Sequence, residues 1–235
     1  MPTAIRNINR AEGKIIKGLE AAGVAAIHEA QGRRGVLSPA LHAVTPGVRV
    51  AGSAVTALCA PGDNWMLHLA IELMQPGDIL VVATTSECTD GYFGDILAEF
   101  LTTRGGVGAV LDTGVRDVAT LREQGFPLWA RAISAQGTVK ETVGSVNVPI
   151  ICAGQRIVPG DVVVGDDDGV VVVPRQSASA ILAATKDRIA KEESMREAIR
   201  SGKNTLDILN LRQTLAKKGL LFQDGPMHWD EEKPL

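Results

Sequence analysis

The sequence predicts an α/β fold, because segments with helical spacing alternate with short valine-rich segments along most of its 235 residues. Residues 48–58 have the apolar, β-branched composition of a strand. Residues 65–74 carry apolar side chains at helical spacing after the cap residue Asp63. The phrase Pro-Gly-Asp precedes two more apolar runs, in residues 76–82 and 159–164, and indicates a turn before a buried strand each time.

The other predicted elements continue this alternation up to residue 173. Helices are predicted where apolar residues recur every three or four positions, and strands where β-branched residues dominate. In chain order these elements are a helix at about residues 8–22, a short element beginning at Val24, a helix from Asp95 to Gly105, a strand at residues 107–111, a helix at about residues 117–124, and strands at residues 127–133, 143–148, 150–152 and 170–173.

Beyond these strands the sequence changes character. Pro174 ends the last valine-rich run, and a long amphipathic helix follows from Ser177 to about Arg200, with a second helix at residues 206–215. A helix with one apolar face needs a surface to pack on. We therefore expect an α/β core at residues 1–175, a helical extension at residues 176–222 that packs on the core and on a neighbouring subunit, and a frayed tail at residues 223–235.

Composition excludes several classes of function. A net charge of -3 gives no electrostatic reason to expect nucleic acid or an anionic membrane, and an aromatic content of 3% leaves few side chains that could stack on bases. Residues 1–10 lack the apolar run of a signal peptide, and no stretch approaches the roughly 18 apolar residues of a membrane span, so we expect a cytoplasmic protein. The three cysteines are widely spaced without a C-x-x-C pair, which favours buried thiols over a zinc site or a disulfide framework.

Two short motifs carry the chemistry that the sequence suggests. Gly94-Asp95-Ile96-Leu97 begins a predicted helix, where free backbone N–H groups would face a small anion. Arg116-Asp117 follows a predicted strand and a Thr-Gly turn, and side chains at a strand end are held rigidly. A helix start, a guanidinium and a carboxylate can therefore converge in one cleft. From spacing alone a second interpretation stays open, in which Asp95 only caps its helix and Arg116 and Asp117 form a structural ion pair.

Three other features have simpler structural interpretations. Gly105-Gly-Val-Gly108 resembles a nucleotide-binding glycine loop, but it leads into a strand, so the helix N-terminus that would hold a phosphate is missing. Asp166-Asp-Asp168 lies between two valine-rich strands and is typical of a tight acidic turn. His68 lies within an apolar helix, which favours a satisfied core or interface histidine over a metal ligand.

The spacing of Asp95, twenty intervening residues and Arg116-Asp117 resembles the signature of the class II pyruvate aldolases that cleave 4-hydroxy-4-methyl-2-oxoglutarate and 4-carboxy-4-hydroxy-2-oxoadipate in bacterial aromatic-acid catabolism. The resemblance extends over nearly the whole chain. It includes His28-Glu-Ala-Gln-Gly32, Asp63-Asn-Trp-Met-Leu-His68, Thr89-Asp-Gly-Tyr-Phe-Gly-Asp95, Ser134-Ala-Gln-Gly-Thr-Val-Lys-Glu-Thr142, Gly144-Ser-Val-Asn-Val-Pro149 and Asp166-Asp-Asp-Gly-Val-Val-Val-Val-Pro174. It implies a compact, single-domain α/β fold of the phosphohistidine-domain-like type, shared with the regulator of ribonuclease E activity A, in a homotrimer or in a homohexamer formed by two trimers.

The resemblance also implies the role of each site residue. Asp117 would be the one direct protein ligand of Mg²⁺ or Mn²⁺, a hard cation that leaves its other positions to water and substrate. The backbone amides of Gly94, Asp95, Ile96 and Leu97 would hold the substrate carboxylate, and Arg116 would stabilise the pyruvate enolate. Asp95 and, from a neighbouring subunit, Glu192 would orient waters held by the metal, with Glu193 as the alternative to Glu192. Decarboxylation of oxaloacetate is implied as a side activity, because it forms the same enolate.

Two alternatives to a metal-dependent aldolase remain, namely a binding protein without catalytic activity and an aldolase with a different mechanism. A non-catalytic binding protein like the ribonuclease regulator would share the fold and the Arg-Asp pair, but the helices from Ser177 and the acidic Asp95 argue against it. An aldolase of the Schiff-base type would need a lysine with a lowered pKa, and Lys140 is the only attractive candidate, since the other lysines lie in plainly polar stretches. Nothing in the surrounding sequence indicates such a shift.

Overall fold

The computed structural model describes residues 1–223 and Gly225, and the chain divides into two compact units, Met1–Ile189 and Ala190–Leu235. The helices are α1 (Gly13–Ala22), α2 (Val24–Ala30), α3 (Trp65–Glu72), α4 (Asp95–Thr103), α5 (Val118–Glu123), α6 (Ala178–Arg200), α7 (Thr205–Ile208) and α8 (Leu211–Lys217). The strands are β1 (His42–Ala43), β2 (Val50–Cys59), β3 (Asp78–Thr84), β4 (Gly91–Phe93), β5 (Gly108–Val115), β6 (Leu128–Ile133), β7 (Ser145–Val146), β8 (Ile150–Cys152), β9 (Gln155–Ile157), β10 (Val162–Asp166) and β11 (Gly169–Val173).

The main sheet of the first unit has a parallel centre. Its strand order is β1-β6-β5-β3-β2-β10-β11, in which β2, β3, β5 and β6 run parallel while β1, β10 and β11 pair antiparallel with their neighbours. Helices α3, α4 and α5 lie in the connections between the parallel strands, as parallel pairing requires. The short strand β4 adds in parallel beside the end of β5. The carboxyl ends of β2, β4, β5 and β6 therefore lie at one edge of the sheet.

The segment of residues 36–43 connects the two edges of this sheet. Val36 forms a bridge with Val171 of β11, while His42 and Ala43 form β1 and pair with β6. The sheet is consequently nearly closed and resembles a barrel. Closure leaves few unpaired backbone groups at the two edges, which limits pairing with other chains.

Apolar side chains on the two faces of the sheet form separate clusters. One face packs against α3, α4 and α5, the other packs against the β8-β9 hairpin and residues near Leu37, and β10 and β11 bury a third cluster against α1 and α2. Trp129 of β6 is fully buried, and its Nε1–H donates to the carbonyl oxygen of Asp166 at 3.0 Å. A side chain at Gly165 would collide with the Trp129 ring, so a glycine is needed there for space.

The predicted α/β class and the order of elements in the core are confirmed. Gly105-Gly-Val-Gly108 leads into β5, as expected. In the acidic run, Asp166 ends β10 and pairs with Gly169, and Asp167 and Asp168 form the predicted tight turn between β10 and β11. The paired strand predicted at residues 143–148 is shorter, because only Ser145 and Val146 pair with β2. The sequence did not indicate the short strands β1, β4 and β9, since two or three residues show no periodicity.

The single helix predicted at residues 206–215 is wrong. Asn210 has a left-handed backbone (φ 55°), which interrupts the helical hydrogen bonds and separates α7 from α8. The predicted boundary at residues 175 and 176 stays a prediction; the two compact units meet within α6, after Ile189. Apart from Gln223 and Gly225, the predicted tail at residues 223–235 lies outside the described residues. In the part of the chain that the structure describes, no helix combines the length and apolar character needed to cross a membrane.

Candidate active site

A cleft of about 150 Å³ opens at the carboxyl ends of the parallel strands. This edge is where open parallel sheets commonly bind ligands. The cleft brings together the two motifs that the sequence singled out, and all its lining residues belong to the first unit. They are Asn64, His68, Gly91, Tyr92, Gly94, Asp95, Ile96, Leu97, Arg116, Asp117, Thr138 and Lys140.

Arg116 and Asp117 directly follow β5. The Arg116 N–H donates to the carbonyl oxygen of Phe93 in β4 at 2.9 Å, which fixes the end of β5 beside the start of α4. Asp117 precedes α5 in the left-handed backbone region (φ 57°), but its side chain does not cap that helix. Its Oδ2 lies 3.5 Å from Nε of Arg116, and both side chains are partly exposed. The carboxylate is therefore held in place by backbone geometry and remains accessible to a ligand.

Gly94 lies against this carboxylate. Its backbone is extended (φ -151°, ψ -169°), a conformation that any residue adopts, so conformational freedom does not explain a glycine here. A Cβ at this position would collide with Oδ2 of Asp117 and would come within 3.3 Å of Cγ of Arg116. Gly94 is thus needed for space, and its missing side chain lets the end of β5 approach the first turn of α4.

The first turn of α4 faces the cleft, as the sequence predicted. Gly94, Asp95, Ile96 and Leu97 all line it. One of these amides is already engaged, since the Ile96 N–H donates to Oδ1 of Asp95 at 2.7 Å. Asp95 therefore carries out a local capping interaction, as the structural interpretation expected, and its side chain also lies at the cleft that contains Asp117.

A second wall of the cleft comes from α3 and residues 138–142. Asn64 is 7% exposed and donates from Nδ2 to the carbonyl oxygen of Tyr92 at 2.8 Å, which ties α3 to β4. His68 lines the cleft from the next turn, and its Nε2 is buried without a hydrogen-bond partner among the described residues. Burial, followed by the positive charge of Lys140, lowers the pKa of His68 and favours a neutral ring. The sequence predicted that His68 would have its hydrogen bonds satisfied, but within the described residues its Nε2 has no partner.

Asp63 joins these two segments. It is 2% exposed, and its Oδ1 accepts from the Trp65 N–H at 2.9 Å. Its Oδ2 accepts from the N–H groups of Glu141 and Thr142 at 2.6 and 2.7 Å. Burial alone would raise the pKa of Asp63, but these backbone hydrogen bonds outweigh burial, and the carboxyl pKa lies below its usual value. The predicted cap of α3 is thus also a connection to the loop that carries Thr138 and Lys140.

Sequence reasoning missed part of this wall. Asn64 and Thr138 occur in phrases that carried the family resemblance, yet their side chains were given no role, and Lys140 was considered only as a Schiff-base nucleophile. Glu192 and Glu193 lie in the second unit, on α6. There Glu192 forms an ion pair with Arg196 at 3.6 Å, and Glu193 pairs with Arg196 and Arg200 at 3.1 and 2.9 Å. The roles predicted for the site residues stay predictions.

The fold and this cleft define an α/β protein with an Arg-Asp pair after a central parallel strand. The sequence profile of the family described as "RraA-like: Aldolase/RraA" matches residues 21–172, and the chain belongs to this family. A protein of Halalkalibacterium halodurans named "Putative 4-hydroxy-4-methyl-2-oxoglutarate aldolase" is 35% identical over 151 residues, which are 64% of this chain and 72% of that protein. A protein of the same name from Burkholderia multivorans is 35% identical over 143 residues, 61% of this chain and 87% of its own length.

Solved structures share the fold. One is the structure of RraAS2 from Streptomyces coelicolor, described as "an unusual member of the RNase ES inhibitor RraA protein family". It superposes on this chain with a TM-score of 0.71 at 33% sequence identity, and the match covers 81% of this chain and 99% of the RraAS2 chain. An uncharacterised protein of Pseudomonas syringae gives a TM-score of 0.72 at 27% identity, over 84% of this chain and 97% of its own. The family thus includes relatives named as aldolases and relatives named as inhibitors.

Replacing Gly94 by alanine is expected to displace the Asp117 carboxylate while the fold is retained. The backbone of Gly94 suits alanine, and the colliding atom is the end of a side chain that can rotate. Gly114→Ala is the contrasting variant, because its Cβ would collide with the backbone carbonyl oxygen of Thr89. Thermal denaturation should show little change for Gly94→Ala and a clear loss for Gly114→Ala, and a crystal structure of Gly94→Ala should show Asp117 rotated. An unmoved Asp117 would contradict the spatial role of Gly94.

Proposed function

We propose that this protein is a divalent-metal-dependent aldolase that cleaves 4-hydroxy-2-oxo acids to pyruvate, with 4-hydroxy-4-methyl-2-oxoglutarate and 4-carboxy-4-hydroxy-2-oxoadipate as substrates. One observation carries the proposal: a guanidinium, an accessible carboxylate in a left-handed backbone position, and the first turn of α4 converge on one cleft. The names of the relatives from Halalkalibacterium halodurans and Burkholderia multivorans support the same reaction. Oxaloacetate decarboxylation is proposed as a side activity, because loss of CO₂ leaves the same enolate.

The donor set of the cleft fits a hard divalent cation. Asp95 and Asp117 supply carboxylate oxygens, and no group of three or more His, Cys, Asp or Glu residues suited to a metal occurs among the described residues. Mg²⁺ and Mn²⁺ prefer oxygen, and Mg²⁺ commonly keeps several waters with only one or two carboxylates from the protein. Asp117 would therefore hold the cation directly. When bound, the cation would withdraw electron density from the keto group of the substrate.

The residues of the chain then have separate tasks. Amides in the first turn of α4 bind the carboxylate next to the keto group, and the guanidinium of Arg116 donates hydrogen bonds to the keto oxygen. In the cleavage step, the 4-hydroxyl loses its proton and becomes a carbonyl as the bond between C3 and C4 breaks. The electron pair of that bond moves towards the keto oxygen and forms the enolate of pyruvate, whose charge Arg116 stabilises. Asp95 orients water that takes the proton from the 4-hydroxyl oxygen and delivers a proton to C3 of the enolate, which gives pyruvate.

The environment of Lys140 argues against a Schiff-base mechanism. Nucleophilic lysines are activated by burial in an apolar pocket or by a second cation nearby. Lys140 is exposed, and the buried carboxylate of Asp63 is the charged group with which it interacts.

A binding protein that acts like the ribonuclease inhibitors is the second candidate function, since the solved structure of RraAS2, a member of that inhibitor family, shares the fold. A catalytic assay separates the two functions.

We also propose that the active site is shared between subunits of a homotrimer, and that the complete protein is this trimer or a homohexamer formed by two trimers. Large apolar residues are exposed beside the cleft, namely Trp65, Ile96 and Val139, with exposed fractions of 42%, 77% and 55%. Clustered exposed apolar residues mark protein interfaces. In this proposal Glu192 of a neighbouring subunit joins Asp95 in holding water near the metal.

Removal of the metal should abolish activity. Pyruvate release from 4-hydroxy-4-methyl-2-oxoglutarate, coupled to lactate dehydrogenase, is expected to cease in EDTA and to return with Mg²⁺ or Mn²⁺. Asp117→Ala should stay inactive at any metal concentration, because it removes the direct ligand. Full turnover in excess chelator, with covalent trapping of pyruvate at Lys140 by borohydride, would instead identify a Schiff-base enzyme.

Arg116→Lys is expected to lower kcat by about 10²-fold, because lysine keeps the charge but loses the planar pair of donors. This loss corresponds to roughly 3 kcal/mol of transition-state stabilisation. Thermal stability should stay close to that of the wild type, since the Arg116 side chain is about half exposed. A kcat within about threefold of wild type would mean that Arg116 is only an ion-pair partner of Asp117.

Mixed oligomers test whether Glu192 acts across subunits. As pure oligomers, Asp117→Ala is expected to be inactive and Glu192→Ala is expected to lose activity by about 10- to 100-fold, the typical cost of losing an outer partner of a metal. Co-expression should give sites that combine an intact Asp117 with an intact Glu192, so activity should exceed the sum of the parents. Glu193→Ala is the matched control. Mixed oligomers verified by mass spectrometry without recovered activity would refute the shared site.

A further inference from the structure

A second cavity, here called the basic pocket, has a volume of about 320 Å³ and is larger than the cleft. Its volume falls within the range of about 300–1,000 Å³ that is typical of small-molecule sites. It shares no lining residue with the cleft, and all its lining residues belong to the first unit. They are Gln31, Arg34, Gly35, Gln155, Arg156, Asp161, Val172, Pro174 and Ile181.

We propose that the basic pocket binds a small organic anion, namely a compound with a phosphate or carboxylate group on a short apolar body. Arg34 and Arg156 bind the oxyanion in this proposal, while Val172, Pro174 and Ile181 contact the apolar part. The site is separate from the cleft, so the proposal does not depend on the reaction proposed there.

The basic pocket contains two cations without a counter-ion. Arg34 and Arg156 are exposed, and neither guanidinium forms an ion pair within 4.0 Å or a hydrogen bond with any residue that the structure describes. The carboxylate of Asp161 is 5% exposed, and its two oxygens accept from the N–H groups of Arg175 at 3.0 Å and of Val158 at 2.9 Å. Two positive charges therefore stand against one negative charge that backbone groups already engage.

The loop that carries Arg34 is held in place by a phrase that the sequence analysis left without a role, beginning at His28. Gln31 donates from Nε2 to the carbonyl oxygens of Arg34 at 2.5 Å and of Val172 at 3.2 Å. Nδ1 of His28 lies 3.1 Å from the same Arg34 oxygen, so this nitrogen carries the proton. Gly35 has a left-handed backbone (φ 77°), and a Cβ there would collide with the Val172 carbonyl oxygen. The backbone of Arg34 is thus fixed while its side chain stays accessible.

Arg156 lies on a second fixed element. It belongs to β9, where it pairs with Ile151 of β8. The tip of this hairpin is tied to the main sheet, because the Ala153 N–H donates to Oδ2 of Asp112 at 2.7 Å. Each guanidinium presents a planar set of donors that matches two oxygens of a carboxylate or phosphate. Two arginines on separate rigid elements therefore suit one oxyanion.

The apolar wall of the pocket favours an organic ligand over an inorganic ion. Val172 is 4% exposed, and Pro174 and Ile181 line the same cavity. Small-molecule sites typically combine such apolar walls with a few polar groups that fix the orientation of the ligand. An inorganic ion would use the arginines and leave the apolar wall in contact with water.

Three probes of similar size test the basic pocket. Phenyl phosphate and phenylacetate carry the two oxyanions, and benzyl alcohol has the same ring without a charge. Calorimetric titration should show that the wild type binds at least one of the anions more tightly than the alcohol. Arg34→Met and Arg156→Met should each lower the affinity for that anion by about 10- to 100-fold, because a charge-assisted hydrogen bond is lost. The affinity for benzyl alcohol should not change.

Two control variants locate the binding. Arg6→Met removes an exposed arginine outside the pocket and should have no effect on the affinity for either anion. Arg116→Met removes the guanidinium of the cleft, and the affinity that depends on Arg34 and Arg156 should remain. Thermal denaturation should be unchanged in the two pocket variants, since neither guanidinium pairs with another described residue. Arg34→Lys keeps the charge and should retain part of the affinity.

The relative affinities also identify the ligand class. Tighter binding of phenyl phosphate would support a phosphate ester as the ligand, and tighter binding of phenylacetate would support a carboxylate. Absence of binding for both anions, equal affinity for benzyl alcohol, or unchanged affinities in Arg34→Met and Arg156→Met would overturn the site. Binding lost in Arg116→Met and kept in the two pocket variants would assign the anion to the cleft and also overturn it.

Discussion

The candidate site depends on the close approach between the end of β5 and the first turn of α4. Three residues produce it: Gly94 leaves the space, Phe93 accepts the hydrogen bond from the Arg116 N–H, and Asp117 turns the chain through a left-handed position into α5. Each acts through the backbone, so the side chains of Arg116 and Asp117 are not needed to hold the turn together. They remain accessible at the cleft, where a ligand can replace the water around them.

The opposite wall of the cleft is also held together through backbone groups, but here a buried side chain connects them. The carboxylate of Asp63 accepts hydrogen bonds from backbone N–H groups of α3 and of the loop after β6. The wall is rigid where it meets Asn64, which ties it to β4 through the carbonyl oxygen of Tyr92. Both walls therefore converge on β4, a strand of only three residues.

Features of the site that depend on neighbouring residues could be predicted from the sequence, whereas features that depend on contacts between distant segments could not. Gly94–Leu97 and Arg116–Asp117 could be placed in one cleft from the sequence, because a helix start offers free N–H groups and a strand end holds side chains at the edge of a sheet. The sequence did not indicate β4, the short strand that places Gly94 beside the end of β5. The place of Thr138 and Lys140 could not, since it rests on the pairing of Val139 with residues 62–64, more than seventy positions away. The break at Asn210 was equally hidden, because an asparagine in a helical pattern gives no warning that it adopts the left-handed region.

Energetics support the proposal that the backbone geometry of Asp117 serves a ligand. A non-glycine residue in the left-handed region costs about 1 kcal/mol, somewhat less for aspartate because its short polar side chain tolerates it. An ion pair between partly exposed neighbours contributes about 0–1 kcal/mol, and the 3.5 Å separation of Arg116 and Asp117 is beyond a good hydrogen bond. The pair therefore contributes no more than the backbone conformation costs, and the carboxylate does not cap α5 either. The arrangement supports the proposed enzyme, in which the accessible carboxylate of Asp117 is presented to a cation.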